Sequence, residues 1–75
     1  MQHTERVTAV VEREGDGFVA HCPELDIASQ GDTMEEARTN LEEAVTLFFE
    51  EASPKEIAER LHSEVSVTAL DIAVG

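Results

Sequence analysis

Between Met34 and Ala52 the apolar residues fall at steps of three and four, with one adjacent pair: Met34, Ala37, Leu41, Ala44, Val45, Phe48 and Ala52. That spacing lays them along a single stripe of an α-helix. The helix has a marked start. Asp32 or Thr33 serves as N-cap, and Thr33 with Glu36 fits a capping box, in which each side chain satisfies the other residue's backbone N–H. Glu35 and Glu36 also stand where the helix dipole favours negative charge. Leu47 and Phe49 fall outside the stripe, and Glu42, Glu43, Glu50 and Glu51 face water or something basic. A helix with one apolar stripe needs one apolar layer to lie on, so the rest of the chain is read for that layer.

Residues 5 to 14 alternate, with Val7, Ala9 and Val11 on one side and Thr8, Val10 and Glu12 on the other. Period two with β-branched residues predicts a strand. Gly15-Asp16-Gly17 is a tight hairpin signal, after which Phe18, Ala20 and Cys22 share one face of a second strand while Val19 and His21 point the other way. Pro23 has no N–H to give and stops the ladder, residues 23 to 26 turn, and residues 27 to 30 form a short third strand before Gly31. Gly31, Asp32, Thr33 and Glu36 make up the entry to the long helix. A second, short helix restarts at Ser53 as N-cap with Pro54 at N1, carries Ile57, Ala58 and Leu61 on its apolar side, and ends near His62. Residues 64 to 74 read as a last strand whose apolar set changes face midway, from Val65, Val67 and Ala69 to Leu70, Ile72 and Val74, by a bulge or by burial of both faces. The expected fold is a single α+β domain over residues 1–75, in the order β-β-β-α-(short α)-β, with one face of the sheet covered by helix.

Seventy-five residues bury a smaller fraction of their surface than a larger domain does, which favours help from a partner chain. Seventeen acidic residues against five basic ones give a formal charge of −12, which opposes direct binding to nucleic acid. The beginning of the chain has no signal-peptide core and no apolar run approaches the ~20 residues of a membrane helix. A cytoplasmic protein is the expectation.

Residues 21 to 37 hold a histidine, a cysteine, two aspartates and three glutamates, a density that raises the question of a metal site. Spacing answers it. Neighbours in a strand point to opposite faces, so His21 and Cys22 cannot share a metal, and Asp32, Glu35 and Glu36 stand where a helix start wants acids in any case. His21 is read as a half-buried strand residue and Cys22 as a small core residue in an acidic neighbourhood that does not favour a thiolate. Motifs for nucleophilic hydrolysis, phosphate binding, zinc proteolysis and dinucleotide binding are absent. Neither a catalytic residue, a metal nor a cofactor is expected.

The stretch from His21 to Glu51 resembles the HicB family of antitoxins, through Cys22, Pro23, Glu24 and Leu25 at the turn, Gln30, Gly31, Asp32 and Thr33 before the helix, and Glu35, Glu36, Ala37, Asn40, Leu41, Glu43 and Ala44 within it. The resemblance implies a partial RNase H-like fold: antiparallel strands 1 to 3, a helix across the sheet, and a last strand lying parallel beside the first. It also implies a partner, a small basic ribonuclease toxin of the HicA kind whose active site the antitoxin occludes. Full members often carry a DNA-binding module after the last strand, and none is expected here.

The leading expectation is therefore a non-enzymatic, antitoxin-like interaction protein that masks such a toxin, with Glu35, Glu36, Glu42 and Glu43 as the candidate docking surface. A homo-oligomer, dimer or tetramer, is expected, with Leu70, Ile72 and Val74 at the contact, because residues 65 to 74 contain one charge and no proline to protect a sheet edge. One alternative is a residual metal-dependent nuclease, although Thr8 to Val11 offer no carboxylate to hold an ion. Another is a homo-oligomeric scaffold or ligand-binding protein with no toxin partner.

Overall fold

The computed structural model describes residues 4–61, 66 and 68–75. Three antiparallel strands, β1 (Val10–Glu14), β2 (Gly17–Cys22) and β3 (Ile27–Gly31), are followed by two helices, α1 (Met34–Glu51) and α2 (Pro54–Leu61). The sheet order is β1-β2-β3, so β2 is central and both of the others are edges. The architecture is α+β, as the change of period implied.

Glu14 faces Gly17 across a two-residue turn at Gly15 and Asp16, and Gly15 takes the positive φ of 61° that this tight reversal requires. The first strand is shorter than the alternation predicts. In the observed register Val10 faces His21, which leaves Ala9 opposite Cys22 and Thr8 opposite Pro23. A proline cannot extend the ladder, so residues 5 to 9 run on past the end of their partner.

The register sorts the side chains into two faces. Val11, Ala20 and Ser29 align across the sheet, as do Cys22 and Ile27, and these look towards α1. Val10, His21 and Ala28 align on the other, uncovered face. The core is small: Ala20, Cys22, Leu25, Ala37, Leu41 and Val45 are buried, with Val7, Val11, Phe18, Ile27, Phe48, Phe49 and Leu61 packed around them. Leu25, part of the turn after Pro23, is nonetheless wholly buried. Phe49 lies outside the helical stripe and still packs on the core, whereas Met34, inside the stripe, is 54% exposed at the helix start.

The helix approaches β3 closely because Gly31 permits it. A Cβ built there would stand 2.6 Å from the Ala37 nitrogen and 2.9 Å from Glu36. Asn40 locks the same contact by donating from Nδ2 to the Gln30 carbonyl at 2.8 Å. In the cap, the Thr33 hydroxyl accepts from the Glu36 N–H at 3.0 Å. Glu36 reaches back one residue further than the expected box, accepting the Asp32 N–H at 3.1 Å instead of that of Thr33. Ser53 caps α2 through the Glu56 N–H at 3.1 Å. Ile57 and Leu61 are half-buried, whereas Ala58, expected beside them, is exposed.

The expected last strand is not formed over residues 68–75, which belong to no regular element and are exposed. Val65, Val67 and His62 lie outside the described residues. The physical reason is pairing: an extended segment with no neighbouring edge leaves its N–H and C=O groups to water and gains no ladder. A place beside β1 is left open by the sheet order.

Candidate functional site

Two surfaces flank α1, and both follow from where the helix sits. It packs chiefly on β3 and β2 and only lightly on β1. One side of the helix therefore overhangs the β1 edge, and the side away from the sheet is open to solvent.

The open side carries the acids. Glu35, Glu42, Glu43 and Glu50 are exposed, and Glu42, Glu43 and Glu50 surround a shallow depression with Thr39, Thr46 and Leu47, whose side chain is 54% exposed. At 100° per residue these positions fall within one broad stripe. Of the four acids expected to dock a partner, Glu35, Glu42 and Glu43 share this surface. Glu36 is exposed but its carboxylate is engaged at the cap. Glu50 and Leu47 complete the surface. Helical spacing already sets Leu47 off the apolar stripe and Glu50 among the outward acids; that the two share one surface with Glu42 and Glu43 is what the structure adds.

On the overhanging side, a groove of about 520 Å³ separates α1 from residues 5 to 9. Leu41, Val45 and Phe49 of the helix, Ile57 of α2, Cys22 of β2, and Val7 and Ala9 supply its apolar lining, with Glu5, Thr8, Arg38, Glu42 and Thr46 as polar members.

Glu24 organises one end of that groove. Its carboxylate accepts the Thr8 N–H at 3.0 Å and the Thr8 hydroxyl at 2.7 Å, which tethers the unpaired N-terminal segment to the turn between β2 and β3. The Cys22 thiol donates to the same group at 3.6 Å. Partial burial pushes the Glu24 carboxyl up, but the two bonds from Thr8 outweigh it, and the net displacement is below the ordinary carboxylate range. Cys22 moves the other way: burial raises its thiol, and the neighbouring Glu24 charge adds to that, so it stays protonated as a packing residue. The far end of the turn is held by Arg60, which donates to the Leu25 carbonyl and lies over the Phe48 ring at 5.5 Å.

His21 and Cys22 do point apart. Cys22 is buried in the core, while His21 is on the uncovered face, its Nε2 3.3 Å from Asp26 Oδ1. Asp26 takes a positive φ of 54°, which closes the turn. Among the described residues, no three His, Cys, Asp or Glu side chains are grouped to hold a metal ion, and no helix is long and apolar enough to cross a membrane.

A UPF0150 protein of Thermotoga maritima is 33% identical over 63 residues, which span 84% of this chain and 90% of that protein. This chain belongs to the UPF0150 family. The match covers nearly the whole relative, so the likeness is one of domain length. No family model and no solved structure matches the chain.

Proposed function

We propose that this UPF0150 protein is a HicB-like antitoxin domain, a non-enzymatic interaction protein of partial RNase H-like kind that binds and masks a small basic ribonuclease. The observation that carries the reading is the acidic surface of α1, where Glu42, Glu43 and Glu50 stand exposed around Leu47 and Glu35 is exposed further along the same stripe. Acids arranged around an apolar anchor suit a basic protein surface: charge steers the encounter and the leucine supplies area to bury. The chain's net charge of −12 adds a field that draws in a cationic nuclease and competes with its RNA. The HicB-like residues from Cys22 to Ala44 support the same reading, since they build the turn and the helix that present this surface.

The test is inhibition of the basic product of a short reading frame adjacent to the gene. Added UPF0150 protein is expected to stop RNA cleavage at stoichiometric ratio, and Glu42→Lys with Glu43→Lys to slow association at least about tenfold at low salt. Full nuclease activity in the presence of excess protein would overturn the proposal.

A further inference from the structure

The outward face of α1 is a strip with a trough along it. The depression bordered by Thr39, Glu42, Thr46 and Leu47 meets a second one, bordered by Thr33, Glu35 and Asn40, at Thr39, which lines both. From Glu35 to Glu50 the strip runs roughly 22 Å, at about 1.5 Å per residue. At about 100° per residue, Thr39 and Thr46 follow its middle, Glu35 and Glu42 stand on one side, and Glu43 and Leu47 on the other. The Thr46 hydroxyl already donates to the Glu42 carbonyl at 2.8 Å, so covering it strands no donor. The carboxylates are in the opposite condition. Among the described residues none of Glu35, Glu42, Glu43 and Glu50 has an ion-pair partner, and Arg38, three residues after Glu35 and four before Glu42, pairs with neither. Exposed acids without an internal cation leave their field for a partner to meet.

We infer that the element of the basic partner that lies on this face is a cationic amphipathic helix. It is set along α1 at a shallow crossing angle of about 20°, with an apolar residue on Leu47 and Lys or Arg facing Glu35 and Glu42 in one row and Glu43 in the other. The inference rests on the reading of this face as a docking surface for a basic protein and goes further by naming the shape of what docks. A rod matches a strip about four turns long and one helix wide, and short side chains such as Thr39 and Thr46 let two helices come within about 8–10 Å of each other. An added strand would gain no ladder here, because the N–H and C=O groups in the middle of α1 are engaged within the helix itself. Leu47, 54% exposed beside Glu43 and Glu50, is the anchor. Its apolar contact excludes water, while the charges around it fix the register.

A synthetic peptide tests this: Ala-based, about 18 residues so that it is helical by itself, with a Leu seam flanked by Lys at steps of three and four. Two comparators carry the same charge, one with the order scrambled so that Lys is spread around the helix, the other with the patterned order broken by two central prolines. By fluorescence anisotropy at low salt the patterned peptide is expected to bind at least about tenfold more tightly than either comparator. Leu47→Gln should weaken it about tenfold with the charge unchanged. Glu43→Gln should weaken it more than Glu12→Gln, which removes the same charge from an exposed position on β1. Circular dichroism checks that these surface substitutions leave the fold intact. Comparators that bind as well as the patterned peptide, or a Leu47→Gln protein that binds it unchanged, overturn the inference, and so does a patterned peptide that does not bind. A nuclease masked without discrimination among the peptides retains the antitoxin reading and removes the helix. Discrimination without masking retains the helix and removes the antitoxin reading.

Discussion

Thr33 and Glu24 each perform a local task that a functional reading could mistake for chemistry. The Thr33 hydroxyl satisfies the Glu36 N–H, one of the donors that a helix start leaves without a partner. Thr33→Ala is expected to cost about 1 kcal/mol in urea-induced unfolding and to leave partner association unchanged. Glu24 ties Thr8 to the turn as a carboxylate, and its acidity is held below the ordinary range by those bonds. The unfolded chain therefore takes up its proton first as pH falls. Stability from this link is fully present above the ordinary carboxylate range and is lost as pH drops through the lowered folded value. Glu24→Gln should be less stable than wild type at neutral pH, and the gap should narrow in acid. A difference that stays constant between pH 7 and pH 3 would show that the charge of Glu24 is not what holds Thr8.

At the scale of elements, the contact between α1 and β3 sets the geometry of everything else. Gly31 lets the helix come down on the strand, Asn40 fastens it, and the resulting position leaves the β1 side overhung by the helix. Gly31→Ala is expected to destabilise by about 1–3 kcal/mol, the usual cost of overpacking, because the new Cβ meets helix backbone instead of a side chain that could swing away. Thermal unfolding measures the loss.

For the whole molecule, charge and core size pull in opposite directions. Among the described residues only Ala20, Cys22, Leu25, Ala37, Leu41 and Val45 are buried, in a chain carrying −12, so folding gathers like charges around a small apolar centre. Raising sodium chloride from low concentration to ~0.5 M should stabilise the fold, because screening lengths there are only a few ångströms. The same salt should slow capture of a basic nuclease, whose encounter the charge assists. A urea midpoint that does not move with salt would mean that repulsion is spread too widely over the surface to matter. Much of this protein was legible along the chain itself: the hairpin at Gly15, the alternating strands, the stripe of α1 and both helix caps. Those features rest on interactions between residues a few positions apart, where periodicity and side-chain type are enough. Other features depend on distant segments meeting. The burial of Leu25, the bond from Thr8 to Glu24 across 16 positions, the reach of Arg60 across 35 to the Leu25 carbonyl, and the groove at the β1 edge are of this kind. The apolar segment 68–75 shows the same division: its alternation is plain in the sequence, but a strand exists only where an edge receives it, and that edge is a property of the assembled sheet.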